Sequence, residues 1–218
     1  MSTASLSAPL DITLVIGSKN HSSWSLRPWL ALAATGAPFR EELILLDRPD
    51  TKARIAAATP HGLVPALRDG DVVVWESLAI CEYLAERFPE AQLWPADRAA
   101  RATARAVSAE MHAGFAALRR ECPMNLTLRT TKALSAEASA NVARVRAIWR
   151  ECRARFGAGG PWLFGRFSIA DCMFAPVATR FRSYGVEVDG AEKAWCEAML
   201  AHPSFVAWED AANREPAP

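Results

Sequence analysis

The residues with the clearest chemical character are Val64-Pro65-Ala66-Leu67, followed nine residues later by Glu76-Ser77. A helix N-terminus gathers free N–H groups and partial positive charge, so it binds a carboxylate. Ser77 is a good cap for such a helix, and Leu78, Cys81, Leu84, Ala85 and Phe88 recur behind it at helical spacing. Glu76 beside that helix start can take an ammonium. The α-amino and α-carboxylate groups of one amino acid fit the pair. Val64-Pro65 is expected to be cis, which would present the backbone N–H and C=O of Val64 to an extended peptide. Together these pieces describe a site for a small peptide with a free amino-acid head. The alternative is a hairpin and a capped helix with no ligand.

Several elements must hold these residues. Arg68-Asp69-Gly70-Asp71 reads as a hairpin turn, since Asp-Gly readily adopts positive φ. Val72-Val73-Val74-Trp75 reads as the returning strand. Upstream, Ile12 to Ile16 is a compact strand ended by Gly17. A polar loop then enters a helix, with serines at the cap and Pro28 in the first turn. That helix stops near Gly36. A second strand lies within 39–46, with Leu43 to Leu46 as its apolar end, and a short helix covers 51–57. A right-handed crossover makes the first two strands parallel, and the hairpin makes the last two antiparallel. This mixed sheet resembles the thioredoxin-like plan.

Residues 88–97 carry two prolines and little periodicity, and everything after them reads as helical. The spacing predicts one long helix over 98–122, closed by Pro123, and another over 135–156. A third is capped by Ser168 with Asp171 at its N3 position. The last two cover 189–200 and 203–213. The expected organisation is a loose leader over 1–10, an α/β domain over 11–88, a linker over 89–97 and an all-helical domain over 98–218.

The ordered set of Val-Pro-Ala-Leu, hairpin, Glu-Ser and helix resembles the glutathione-binding half of the cytosolic glutathione transferases. The segment Ser168-Ile169-Ala170-Asp171-Cys172-Met173-Phe174-Ala175-Pro176-Val177 resembles the strongly capped helix in the middle of their second domain. The resemblance spans about residues 11 to 213. It implies the glutathione transferase fold, a thioredoxin-like α/β N-terminal domain followed by an all-α C-terminal domain. It also implies glutathione as cosubstrate, no metal, and a homodimer.

Such an enzyme must form a thiolate at neutral pH, where a free thiol with a pKa near 8.5 is ionised only to roughly a few per cent. A hydroxyl that donates to sulfur at a helix N-terminus favours the thiolate. Here the loop after the first strand reads Ser22-Ser23-Trp24-Ser25-Leu26-Arg27. It resembles the serine-type motif of the zeta class, which includes maleylacetoacetate isomerase. By position, Ser22 matches the serine assigned to thiolate stabilisation, and Ser23 is its neighbour in the site. Trp24 replaces the motif's cysteine and Leu26 its tryptophan. The alternative is that Ser22, Ser23 and Ser25 only cap the helix. No tyrosine follows the first strand, which excludes the tyrosine-type classes.

The resemblance assigns glutathione to Val64, Pro65, Glu76, Ser77, Trp24 and His61. Leu63 stands where relatives often carry Lys or Gln for the glycine end, so the candidate substitutes are His61, Arg27 or a residue that the sequence does not identify. The second substrate is a small electrophile, expected to meet Met111, Phe115 and Arg119, which are spaced by four along the predicted long helix. Residues 98–155 carry 12 Lys/Arg against 4 Asp/Glu. That excess reads either as a solvated arginine-rich surface or as a cleft for acidic substrates. Three functions are open: a transferase, a glutathione-dependent cis–trans isomerase, and a non-catalytic binding or assembly module that keeps the fold.

Composition narrows the classes further. Net charge is +1 over 218 residues, with −3 in residues 1–90 and +4 in 91–218. Neither nucleic acid nor a membrane is favoured as partner. The N-terminus has no secretory pattern, and no apolar run reaches the roughly 20 residues of a membrane span. The five cysteines form no CxxC and the four histidines are scattered. Buried, reduced thiols and a cytoplasmic location are expected.

Overall fold

A computed structural model describes residues 11–216. The expected leader lies outside them. The chain forms β1 (Ile12–Gly17), α1 (Ser23–Ala34), β2 (Arg40–Ile44), α2 (Thr51–Ala58), β3 (Ala66–Asp69), β4 (Val72–Trp75) and α3 (Ser77–Arg87). After a short 3₁₀ turn (Pro89–Ala91) come α4 (Arg98–Ala113), α5 (Ala116–Glu121), α6 (Ala136–Phe156), α7 (Ile169–Tyr184), α8 (Gly190–Leu200) and α9 (Pro203–Ala212). The sheet order is β2-β1-β3-β4. β1 pairs parallel with β2 and antiparallel with β3, and β3 pairs antiparallel with β4. This is the mixed sheet expected from the sequence, with a thioredoxin-like first half and an all-α second half.

The core follows from residue type. Leu14, Ile16, Leu26, Leu30 and Leu67 are buried between sheet and helices, and Trp149, Phe174 and Trp195 fill the helical half. Each such side chain contributes about 1.5–3 kcal/mol. Helix α1 is the element common to both halves: it packs on α3 on one side and on α7 on the other.

Four local expectations are corrected. The long helix over 98–122 is broken. Gly114 ends α4 in an extended conformation, and Phe115 takes the left-handed one before α5 begins. A Cβ on Gly114 would sit 2.8 Å from the Glu110 carbonyl oxygen. The break turns Phe115 into the core, so Met111, Phe115 and Arg119 do not form one helical stripe. Glu76, not Ser77, occupies the cap position of α3, without a side-chain capping bond, and Ser77 is the first helical residue. Pro28 lies past the first turn, inside α1, where it cannot donate to the Trp24 carbonyl. Strand β2 ends at Ile44 because the chain then turns away: the Leu46 N–H donates to Ser18 Oγ at 2.8 Å.

The start of α7 is the polar centre of the helical half. Asp171 is fully buried. It accepts from Leu163 N and Trp195 Nε1 at 3.0 and 2.8 Å, and from Ser168 N and Ser168 Oγ, both at 2.9 Å. Burial pushes its carboxyl up, and these donors pull it back toward the charged form. Asp171→Ala would strand all of them. It should cost about 3–5 kcal/mol in chemical denaturation, and Asp171→Asn should cost less. A loss under about 1 kcal/mol for Asp171→Ala would contradict this role.

Candidate active site

The site begins where β1 hands over to α1. Ser22 is the N-cap: its Oγ accepts from Ser25 N at 3.3 Å. The same Oγ donates to Ser25 Oγ at 2.7 Å, and Ser25 Oγ accepts from Gly17 N at 3.1 Å. A chain of hydroxyls therefore ties the end of β1 to the start of α1. The loop is also held from outside. The Glu215 carboxylate accepts from Lys19 N at 2.6 Å, and Trp208 Nε1 donates to Lys19 O at 3.0 Å. Ser23 is equally buried, and its Oγ accepts from Arg180 Nη2 at 3.2 Å.

Beside this helix start lies a cavity of about 360 Å³, lined by Trp24, His61, Leu63, Val64, Pro65, Glu76, Ser77 and His112. All six residues assigned to peptide binding are on its wall. Ser22 and Ser23 sit directly behind Trp24 in the chain, not on the wall itself. The Val64–Pro65 bond is cis. Glu76 is held at φ +69°, which costs a residue with a Cβ about 1–3 kcal/mol and marks a constrained turn. Its carboxylate stays half-exposed. Ser77 is buried, and its Oγ has no hydrogen-bond partner among the described residues. A buried hydroxyl at the start of an 11-residue helix, beside a half-exposed carboxylate, suits a ligand with adjacent carboxylate and ammonium groups.

His61 stacks on Trp75 with ring centroids 5.8 Å apart, and its Nδ1 has no partner among the described residues. Leu63 is exposed. Arg27, the other candidate for the glycine end, is corrected: its side chain is fully buried, with Nε donating to Met173 O at 3.1 Å. Met111 and Phe115 are core residues. Arg119 does approach the site, its guanidinium lying 5.5 Å from the Trp24 ring centre.

The sequence reading missed His112, which α4 contributes from the helical half. Its ring meets Trp24 edge-on at 5.3 Å, and its Nε2 lies 3.6 Å from Glu76 Oε2. The arginine-rich helices do not form a continuous basic cleft. Arg105 pairs with Glu82, Arg120 with Glu137, Arg144 with Glu110, and Arg146 and Arg150 with Glu192.

Two domain profiles match the chain: the glutathione S-transferase N-terminal domain over residues 21–87 and the glutathione S-transferase C-terminal domain over 135–211. A stringent starvation protein A homolog from Haemophilus ducreyi is 26% identical over 205 residues, covering 92% of this chain and 91% of that protein. A probable maleylacetoacetate isomerase from Caenorhabditis elegans is 35% identical over 97 residues, 44% of each chain. Among solved structures, the holo form of maleyl pyruvate isomerase, a bacterial zeta-class glutathione S-transferase, superimposes with a TM-score of 0.73. It is 25% identical and the match covers 94% of this chain and 100% of that one.

Burial, with help from Arg27, holds His112 below its ordinary value of 6.5, against a smaller upward pull from Glu76. The unfolded chain has no such bias. Between the two values the unfolded chain binds more protons, so stability rises with pH there and falls on acidification below 6.5. Thermal midpoints taken from about pH 7.5 to about pH 5 should decline, and His112→Gln should make the decline shallower. Identical slopes for parent and variant would count against this coupling.

Proposed function

Because this chain belongs to the glutathione S-transferase family in both its halves, we propose that the cavity holds glutathione. A serine hydroxyl at the start of α1 stabilises the glutathione thiolate for attack on a small electrophile. The observation that most supports this reading is the buried, unpartnered Ser77 hydroxyl beside Glu76. Ser77 and the N-terminus of α3 take the γ-glutamyl carboxylate, and Glu76 takes the ammonium. Val64 pairs through its backbone with the cysteinyl segment, Trp24 walls the site, and His61 faces the glycine end. This assigns glutathione binding to residues 11–88 and second-substrate contacts to 98–218, joined by 89–97. Five buried free cysteines fit a cytoplasmic protein.

In the reaction the thiol loses its proton to solvent, the serine stays protonated, and a C–S bond forms to the electrophile. Position selects Ser22 as the donor to sulfur. Its proton points to Ser25 Oγ in the free site, but hydroxyl protons rotate. When sulfur arrives, Ser25 can donate to Ser22 while still accepting from Gly17 N, and the Ser22 proton turns to the sulfur. Zeta-class relatives support the isomerase variant of this chemistry, in which the thiolate adds to a conjugated alkene, allows rotation and leaves again. A substrate panel that includes maleylacetone, scored for isomerisation and for glutathione consumption, separates the two. One relative that spans 92% of the chain has a name that states no transferase chemistry. Glutathione binding with no shift in thiol ionisation would favour a binding module instead.

A charge-assisted hydrogen bond contributes about 1.5–3 kcal/mol, and one pKa unit is about 1.4 kcal/mol. Ser22→Ala should therefore raise the pKa of the bound thiol by roughly one to two units, with little change in glutathione affinity. Ser25→Ala should shift it less, in the same direction, and Ser23→Ala least. The readout is ultraviolet thiolate absorbance across pH. A shift from Ser23→Ala alone would make Ser23 the donor, and no shift from any of the three would remove the serine mechanism. A separate expectation concerns assembly. Strand β4 is an outer strand of the sheet and leaves Val72, Val73 and Trp75 exposed. Subunit pairing that buries more than about 1,200 Å² in total should appear as a dimer mass in sedimentation. A monomer mass across the concentration range would overturn it.

A further inference from the structure

The loop between β1 and α1 delivers Ser22 to the helix start, and much of its hold comes from outside the loop. Inside it, Ser18 O accepts from His21 N at 3.1 Å and from Ser22 N at 2.8 Å, which closes a turn around residues 19 and 20. The N–H groups of those two residues bond outside the turn, to one carboxylate far along the chain. Glu215 Oε1 accepts from Lys19 N at 2.6 Å and Oε2 from Asn20 N at 3.3 Å. Successive backbone N–H groups that converge on an anion form a nest, and bonds to an ionised acceptor are about twice as strong as neutral ones.

Glu215 lies three residues past α9, and α9 grips the same place. Trp208 Nε1 donates to Lys19 O at 3.0 Å, and Lys19 Nζ lies 4.8 Å from the Trp208 ring centre and 5.1 Å from that of Trp29. The Lys19 ammonium pairs with Glu41 Oε2 at 2.5 Å, and Trp29 Nε1 donates to Glu41 Oε1 at 2.6 Å. Lys19 is thus held at its N–H, its C=O and its ammonium. Asn20 is held on its other side, where its Oδ1 accepts from Leu126 N at 2.7 Å. Close packing does not complete this hold. A cavity of about 240 Å³ borders the loop, with Ser18, Asn20, His21, Asp47, Thr127 and Glu215 among its lining residues. Beside that space the loop depends on directional bonds.

Ser22 follows the clamped residues directly: its N–H closes the turn on Ser18 O and its Oγ caps α1. A hydroxyl that donates to sulfur must keep its length and angle, because hydrogen bonds weaken steeply when misaligned. Functional groups need placement to within about 0.5 Å. We propose that Glu215 is a positioning residue for Ser22: its carboxylate, seated on Lys19 N and Asn20 N, fixes the turn that sets the Ser22 hydroxyl, so ionisation of the bound thiol is tuned from beyond α9. The proposal rests on the glutathione reading of the other cavity, on whose wall Glu215 does not lie.

The test compares the full-length parent with Glu215→Ala, Glu215→Gln and Glu215→Asp. Gln keeps the size but offers one acceptor oxygen, and its amide N–H groups oppose the second backbone donor. Amide exchange of residues 18–22 is followed by mass spectrometry without glutathione. The pKa of bound glutathione is read from thiolate absorbance, with glutathione affinity titrated alongside. Glu215→Ala should speed exchange in 18–22 and raise the bound-thiol pKa by roughly half a unit to one unit, a loss of about threefold to tenfold in thiolate at neutral pH. Affinity should change by less than about twofold, because Val64, Glu76 and Ser77 hold the peptide from other elements. Glu215→Gln should fall between Glu215→Ala and the parent, and Glu215→Asp, which keeps the charge, should stay nearest the parent. In a Ser22→Ala background Glu215→Ala should move the thiol pKa no further, since the group it positions is gone. Should Glu215→Ala not fold, Glu215→Gln carries the comparison. Unchanged exchange in 18–22, faster exchange with an unmoved thiol pKa, additive shifts in the double variant, or affinity that falls in step with the thermal midpoint would each overturn the assignment. A parent that binds glutathione without lowering its thiol pKa sinks the serine mechanism and this proposal with it. A parent that lowers it, matched by every Glu215 variant, sinks the clamp alone.

Discussion

A helix can present its N-terminus to a ligand only if its first turn is held still, and here the hold is a chain of two serine hydroxyls. Gly17 N–H, at the end of β1, is satisfied by Ser25 Oγ, and Ser25 is satisfied by the cap residue Ser22. The donor is buried, so leaving it unpaired would cost about 1–3 kcal/mol. That penalty fixes the start of α1 against the sheet edge. Everything else at the site is measured from that point: Trp24 two residues past the cap, Val64 beside Gly17, and the α3 N-terminus across the cavity.

The same helix then decides how the two halves meet. Leu26 and Leu30 go into the core, while Trp24 and Arg27 meet residues of the helical half. Arg27 reaches Met173 on α7, and Arg180 of α7 reaches back to Ser23 on α1. The junction is therefore written in hydrogen bonds from buried cations as well as in apolar contact. Such bonds are directional, so they set one angle between α1 and α7 where packing alone would tolerate several.

What was legible in the sequence was local. The hairpin at Asp69-Gly70, the strand Val72–Trp75 and the Glu76-Ser77 helix start depend on neighbours within a few residues, and the peptide-binding set read from them lies on one cavity wall. The helix break was masked by the apolar spacing of Met111 and Phe115, which continues through it; its local sign was Gly114 itself, a residue that weakens a helix interior. His112 was missed because its role arises from packing of α4 against Trp24. Arg27 was read as a possible ligand for the glycine end because charge normally implies exposure. Its burial depends on α7, some 150 residues away in the chain. The start of α4 at Arg98 was read correctly, and the Ser135 cap could have refined that of α6, since it is a short polar residue directly before the helix.

Trp24 is where these levels join. A cation–π contact contributes about 0.5–2 kcal/mol, against an effective penalty of several kcal/mol for each buried ion, so the indole cannot by itself balance Arg27. It can, however, do what the cysteine at this place in the zeta motif cannot. It is large enough to wall the peptide cavity and to lie over the guanidiniums of Arg27 and Arg119. One side chain thus borders both the cavity and these two arginines. Any displacement of the indole changes the shape of the first and the solvation of the second together. A small residue in its place would leave the two independent, so the identity of position 24 couples the shape of the cavity to the environment of the buried guanidiniums.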